Sequence, residues 1–225
     1  MKRLKGIVIG RSRFGESSDV IKFLSDELGL VSFAAPGRRR PASKTRAALE
    51  ILSYSEVVLY ERRGDVWLVK EAVLIRGFRE ITRNLSMFEL SGRLLGLLES
   101  ALLPFGPVDG LVPLVLDFLS VAERTENPKG LYCFALVRVN ELFGMKPSLS
   151  FCACGAGKVI GFSLESGAIC ENCEIGIKSV KLSPSEARTL YELEKARWDT
   201  INEIAINDKL LALLEAYTRK HLLGV

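Results

Sequence analysis

Four of the five cysteines in the sequence form two closely spaced pairs, Cys152 with Cys154 and Cys170 with Cys173, with fifteen residues between the pairs. Two short-spaced thiol pairs at this separation are typical of a structural zinc ribbon, in which four thiolates surround one Zn²⁺ ion at about 2.3 Å. Because four thiolates leave no open coordination position, the pattern indicates a structural zinc rather than a catalytic one. A disulfide and four reduced thiols without metal are the alternative interpretations.

The first pair has one residue between its cysteines where two are usual, so its chelating turn is tighter. Gly155 and Gly157 follow it and allow the backbone to fold back toward the thiolates. The fifth cysteine, Cys133, lies in an apolar helical segment, and we expect it to be a small buried side chain.

A second group of candidate functional side chains is a cluster of cations. Residues 36–46, PGRRRPASKTR, carry five cations and no acid on a backbone that Pro36 and Pro41 keep from forming a helix or a central strand. On a loop, guanidinium groups can reach phosphates in a fork geometry, and two more arginines end the first predicted strand. We therefore predict contacts to a nucleic-acid backbone from Arg11, Arg13, Arg38, Arg39, Arg40, Lys44 and Arg46. A solvated loop without a ligand is the alternative.

The charge distribution supports this interpretation. Residues 1–47 contain eleven Lys/Arg against four Asp/Glu, whereas the remainder contains 20 against 23, which together give the net charge of +4. A basic first fifth joined to a slightly acidic remainder is typical of a polyanion-binding module. Phe14, Phe33 and Tyr54 are candidates for base stacking, with core packing as the alternative for each.

Motifs for bond-making chemistry are absent from the sequence. His221 is the only histidine, neither a P-loop nor a nucleophile elbow occurs, and the carboxylates are not clustered. We therefore expect a non-enzymatic protein. The apolar runs are shorter than the roughly 20 residues of a membrane span, and the start does not have the pattern of a signal peptide, so we also expect a cytoplasmic one.

The elements that position these residues change character along the chain. Five short segments rich in β-branched and aromatic residues predict strands that close into a small barrel: 5–11, 19–24, 30–35, 51–60 and 66–71, with a turn at 63–65 before the last. Helical periodicity then predicts helices over 84–102, 109–123, 127–143, 183–195 and 204–223. Asn127 and the capping box Ser183–Glu186 mark two helix starts. The segment between the cysteine pairs predicts a small hairpin.

Several motifs together resemble the bacterial recombination mediator protein O (RecO) family. They are the first strand, the aromatic-Gly-Glu turn Phe14–Glu16, the turn Glu27–Leu30, and the basic loop Gly37–Arg40 that ends in Ser43-Lys44. A helical region with a four-cysteine insert before a serine-capped helix is also similar. The family's first pair is typically C-x-x-C-G; here Cys154-Gly155 matches its second half, and Phe151 stands where the other cysteine is expected.

The resemblance implies an α+β architecture. A five-stranded oligonucleotide-binding (OB-fold) barrel over 1–78 would precede a helical domain over 79–225, with a zinc-ribbon-like insert at about 149–178. It also implies a DNA repair and recombination mediator that binds single- and double-stranded DNA without sequence preference, anneals complementary strands, and helps to load RecA onto strands coated by single-strand binding protein.

The partners implied are RecR and the C-terminal tail of single-strand binding protein, with a nucleoid-associated location in the cytoplasm. A zinc-ribbon adaptor between proteins, or an RNA-binding module, is the competing prediction.

Overall fold

The computed structural model describes residues 1–62 and 64–224. Its first part is a closed five-stranded barrel made of β1 (Lys2–Phe14), β2 (Ser18–Ser25), β3 (Gly29–Ala35), β4 (Ser53–Tyr60) and β5 (Val66–Gly77). The strand order around the barrel is β1-β2-β3-β5-β4, with β3 parallel to β5 and the other pairs antiparallel. The predicted barrel is confirmed. Part of the predicted turn at 63–65, Arg63, lies outside the described residues.

β1 is longer than the sequence predicts because it pairs with two neighbours. Residues 2–7 pair with β4 and residues 6–14 pair with β2, and a bulge between Val8 and Gly10 shifts the register of the pairing with β2. Such a bulge bends a strand and increases its twist, which closure of a small barrel requires. Arg11 and Arg13 therefore lie on the part of β1 that extends beyond β4.

The barrel interior is filled by alternate side chains of all five strands. Phe23 and Phe33 meet edge to face at 5.8 Å in the middle of this core. Phe105, from the segment after the first long helix, contacts Trp67 with ring centroids 5.2 Å apart. The same segment pairs Leu30 with Pro104, and Gly29, at φ +65°, leaves no room for a side chain beside the Gly106 carbonyl.

Helices follow the barrel: α1 (Leu85–Ala101), α2 (Leu111–Ala122), α3 (Pro128–Leu142), α4 (Glu171–Glu174), α5 (Pro184–Lys195) and α6 (Asp208–Leu223). The Asn127 side chain caps α3 and the predicted capping box begins α5. The last helix starts four residues later than predicted because Asn207 accepts the Leu210 amide proton and caps it there. No helix of the described chain is both long and apolar enough to cross a membrane.

A three-stranded sheet lies between α3 and α5 in the chain. It consists of β6 (Gly161–Ser163), β7 (Gly167–Ile169) and β8 (Val180–Lys181) in the order β7-β6-β8. β6 and β7 form the hairpin predicted between the cysteine pairs.

The chain forms two compact units, Met1–Glu123 and the part from Arg124 onward. The first unit holds α1 and α2 together with the barrel, since the segment between these two helices packs Phe105 against the barrel core. The second unit holds α3, the small sheet, α5 and α6, with α3 packed on α5 and α6. The division into domains at residue 78 stays a prediction, while the barrel itself ends with β5 at Gly77.

Candidate nucleic-acid interface and metal centre

The basic loop between β3 and β4 is held in place by one of its own arginines. Arg38 Nη1 lies 2.8 Å from Asp19 Oδ2, and Arg38 Nη2 lies 2.8 Å from Glu50 Oε1. Arg38 Nη2 also donates a long hydrogen bond, 3.4 Å, to the Arg46 carbonyl at the far end of the loop. One guanidinium thus ties the sheet, the loop and the segment after it together.

This ion pair is buried. The side chains of Arg38 and Asp19 are only 3% and 2% exposed. Arg38 is one of the seven predicted phosphate contacts, and the structure places its guanidinium against a buried carboxylate instead of in solvent. Removal of one partner from such a pair typically costs about 3–5 kcal/mol, since the other charge is left without compensation.

Arg39 joins the loop to the tip of the neighbouring hairpin. Its Nη2 donates a 2.6 Å hydrogen bond to the Gly15 carbonyl, its backbone amide donates to the Ser17 carbonyl at 3.1 Å, and its Nη1 lies 3.5 Å from Asp19 Oδ1. The tip that carries Phe14 is therefore fixed against the loop. Phe14 is 62% exposed, Phe33 belongs to the core, and Tyr54 is half-buried, which leaves Phe14 as the most accessible of the three stacking candidates.

Between the loop and the end of β1 lies a cavity of about 360 Å³, here called the arginine cavity. Arg11 Nη1 pairs with Glu50 Oε2 at 2.8 Å on its β1 side. The walls contain five guanidinium groups and two carboxylates, a formal charge of +3, from Arg11, Arg13, Asp19, Arg38, Arg39, Arg46 and Glu50.

Four of the seven predicted DNA contacts are exposed cations that form no ion pair with a described residue: Arg13, Arg40, Lys44 and Arg46. Arg13 and Arg46 line the arginine cavity, whereas Arg40 and Lys44 lie outside it on the same loop. The site therefore combines three ion-paired arginines, Arg11, Arg38 and Arg39, with four cations that have no ion pair. Exposed cations on a fixed backbone are well suited to contact phosphates.

Sequence reasoning missed the two carboxylates that organise this site. Asp19 lies near the start of β2 and is buried, and Glu50 follows the loop. A buried aspartate is rarely unpaired, so an aspartate at the start of a predicted strand was the available signal for a partner among the nearby arginines.

The second site is formed by the cysteines. The Sγ atoms of Cys152, Cys154, Cys170 and Cys173 all lie within 4.8 Å of one another. Four sulfurs at 2.3 Å from one tetrahedral ion are separated by about 3.8 Å, so the cluster is compact enough to hold a metal ion. All four cysteines are free, and the Sγ atoms of Cys154 and Cys170 are 3.5 Å apart, too far for a covalent bond.

Backbone turns bring the thiols together despite the short C-x-C spacing. The Gly155 amide donates to the Cys152 carbonyl at 2.8 Å, and the Cys152 amide donates to the Ala156 carbonyl at 2.9 Å. Gly155 adopts φ +89°, which favours glycine at this position. At the second pair, the Cys173 amide donates to the Cys170 carbonyl at 3.1 Å.

The thiols differ in acidity because of what surrounds each sulfur. The backbone amides of Cys154 and Cys170 lower the pKa of Cys152 to about 6. Contacts of its sulfur with the Cys154 and Cys152 sulfurs raise the pKa of Cys173 to about 12. Four thiolates in so small a volume repel one another, so a divalent cation is what allows all four to ionise together.

The chain is similar to known proteins along most of its length. The family model described as "Recombination protein O N terminal" matches residues 1–78, which are the barrel and the residue that follows its last strand. Three relatives, each described as "DNA repair protein RecO", extend the similarity along the chain. The protein of Acetivibrio thermocellus is 25% identical over 98% of this chain and 90% of its own length. That of Dehalococcoides mccartyi strain BAV1 is 28% identical over 98% and 88%. That of Anaeromyxobacter sp. strain K is 30% identical over 85% and 77%.

Proposed function

The chain belongs to the RecO family of DNA repair proteins, and from this we propose that it is a non-enzymatic recombination mediator that binds DNA through the cationic face of its barrel. The observation that carries the proposal is the set of exposed, unpaired cations Arg13, Arg40, Lys44 and Arg46 on a backbone fixed by Arg38 and Arg39. Contacts of this kind go to phosphates and do not read bases. The protein thus binds both single- and double-stranded DNA without sequence preference.

Annealing follows from the same charges. Two strands repel each other because each carries dense negative charge, and a cationic surface that holds both lowers this barrier. Phe14, exposed beside Arg13 at the hairpin tip, offers a face for an unpaired base. Arg38 does not touch DNA in this mechanism; it fixes the loop on which Arg40, Lys44 and Arg46 are presented.

The partners and the cofactor belong to the proposal as well. The protein helps to load RecA onto DNA coated by single-strand binding protein, with RecR and the C-terminal tail of single-strand binding protein as partners, and it acts in the cytoplasm at the nucleoid. The cysteine cluster holds a structural Zn²⁺, since a compact set of four sulfurs suits zinc among the abundant divalent ions.

The test is annealing of complementary oligonucleotides, with and without single-strand binding protein, by a variant in which Arg13, Arg40, Lys44 and Arg46 are all replaced by Gln. We expect its affinity for single-stranded DNA at moderate salt to fall at least about tenfold, since four phosphate contacts are lost, and annealing to slow accordingly. The side chains are exposed and unpaired, so folding is preserved.

A matched variant carries Gln in place of Lys158, Lys178, Arg188 and Arg197, four exposed cations of the second unit. It changes the net charge equally and should keep affinity and annealing near the parent values. Unchanged annealing by the barrel variant would remove the loop from the mechanism. Tighter binding to RNA or to an acidic peptide than to DNA would favour the competing adaptor or RNA-binding function.

A further inference from the structure

The arginine cavity contains more positive charge than its own carboxylates neutralise. Asp19 is engaged by Arg38 and Arg39, and Glu50 by Arg38 and Arg11. Arg13 and Arg46 then line the same space without a carboxylate partner. The lining therefore keeps an excess charge of +3 that its own carboxylates do not neutralise, and such an excess attracts anions.

The cavity is large enough to hold a small ligand. A cavity of about 360 Å³ falls within the range of roughly 300–1,000 Å³ that small-molecule sites occupy. Arg38, which lines it, has a buried Nε without a hydrogen-bond acceptor among the described residues. A buried N–H without an acceptor is energetically costly, so the protein's own groups leave the arginine network incompletely hydrogen-bonded.

The shape of the cavity favours a phosphomonoester over a phosphodiester. A phosphodiester within a strand continues on both sides, so it fits an open groove better than a recess between a loop and the end of a strand. A phosphomonoester is the end of its molecule and can enter a recess. Its second pKa is about 6, so near neutral pH it carries close to two negative charges and three terminal oxygens for arginine forks.

We propose that the arginine cavity binds a phosphomonoester, the group found at the phosphorylated end of a nucleic-acid strand and on a free nucleotide. This inference rests on the proposed function. It gives the barrel a binding site for a strand end, next to the exposed cations that bind the rest of the strand. In this proposal Arg13 and Arg46 supply the guanidinium groups that have no carboxylate partner, and the ion-paired Arg11, Arg38 and Arg39 line the same cavity.

The experiment measures the affinity of the full chain for short single-stranded oligonucleotides by fluorescence anisotropy. One sequence is prepared with a hydroxyl at both ends, with a 5′-phosphate and with a 3′-phosphate. A fourth oligonucleotide, one nucleotide longer and with hydroxyl ends, adds a phosphate as a diester. We expect about tenfold tighter binding of at least one phosphorylated form than of this longer control, because the added group makes new charge-assisted hydrogen bonds.

Variants test which residues cause the preference for a phosphorylated end. Arg13→Ala combined with Arg46→Ala should abolish the preference for a phosphorylated end, whereas Arg188→Ala, which removes an exposed arginine of α5, should keep it. Competition distinguishes the two sources of the group. If inorganic phosphate or a mononucleotide displaces the phosphorylated strand at concentrations that leave the hydroxyl-ended strand bound, the cavity accepts the free ligand; if neither does so, the strand end is its ligand.

Equal affinities of the phosphorylated strands and the longer hydroxyl-ended control would overturn the inference and leave the proposed function standing. Failure of every oligonucleotide to bind in dilute buffer would overturn the proposed function itself.

Discussion

Arg38 and Asp19 show how a buried ion pair serves a surface activity. Burial of both groups is costly, and the pair gains back this cost only through close contact and additional hydrogen bonds. Here the compensation is incomplete, since Arg38 Nε and Asp19 Oδ1 make no hydrogen bond within the described structure, although Asp19 Oδ1 lies 3.5 Å from Arg39 Nη1. The pair is therefore better understood as a device that fixes one loop conformation than as a source of net stability.

For this pair we predict that Asp19→Ala lowers the free energy of unfolding by up to about 3 kcal/mol, because the buried guanidinium of Arg38 loses its buried carboxylate and keeps only the partly exposed Glu50 as a partner. The double variant Asp19→Leu with Arg38→Met should recover most of the loss, since it removes both charges. Chemical denaturation of the variants measures both effects. Glu192→Ala, which breaks the exposed pair with Arg188, is the control and should cost less than about 1 kcal/mol.

The double variant also separates stability from binding. It restores the fold without restoring the link from Arg38 to Glu50 and to the Arg46 carbonyl, so DNA affinity should stay below that of the parent. Full recovery of both properties would mean that Arg38 does not position the loop.

Among the elements, the three-stranded sheet beside the cysteine cluster has the shortest strands, although its β6 and β7 are buried. Its strands have three, three and two residues, and several large apolar side chains around the cluster are exposed, including Phe151 and Ile175. Strands this short are marginal by themselves, so the fold of this insert depends on what joins the four sulfurs.

We predict that the purified protein contains one zinc per chain and that Cys173→Ser reduces this content to a small fraction, because it removes one of four ligands. Chelation should lower the thermal midpoint of the second unit, since metal binding is coupled to folding. Metal analysis and calorimetry are the measurements. Cys133→Ala, outside the cluster, should leave the metal content unchanged; an equal loss in both variants would contradict the assignment of the ligands.

For the whole molecule, the distribution of charge matters more than its sum. The net charge is only +4, yet the arginine cavity alone has an excess of +3, and Arg40 and Lys44 add to it on the same loop. Binding to a polyanion by such a surface releases counterions and therefore weakens steeply as salt rises.

We expect the logarithm of the affinity for single-stranded DNA to fall linearly with the logarithm of the salt concentration. In the four-Gln barrel variant the slope should be shallower by about 3, because each lost phosphate contact contributes about 0.7. Titrations at several salt concentrations measure it. A slope equal to that of the parent would show that these four cations do not contact phosphates.

The sequence by itself determined the barrel strands, the long helices and the clustering of four cysteines. Segments rich in β-branched and aromatic residues, with turns between them, specified the five strands. Asn127 and Ser183 specified two helix starts, and the cysteine spacing specified which sulfurs meet. These features are local: a strand, a cap or a chelating turn depends on residues a few positions apart, so their signal lies in a short stretch of chain.

The tertiary structure alone decided which cations are free and which are structural. Arg38, Arg39 and Arg40 are identical in type and adjacent in sequence, yet one is buried on Asp19, one joins the loop to the hairpin tip, and one is exposed without an ion pair. That difference depends on carboxylates and carbonyls brought near by barrel closure, from residues 12 to 24 positions away. Charge in a sequence is additive, but its availability to a ligand is set by what the fold places beside it.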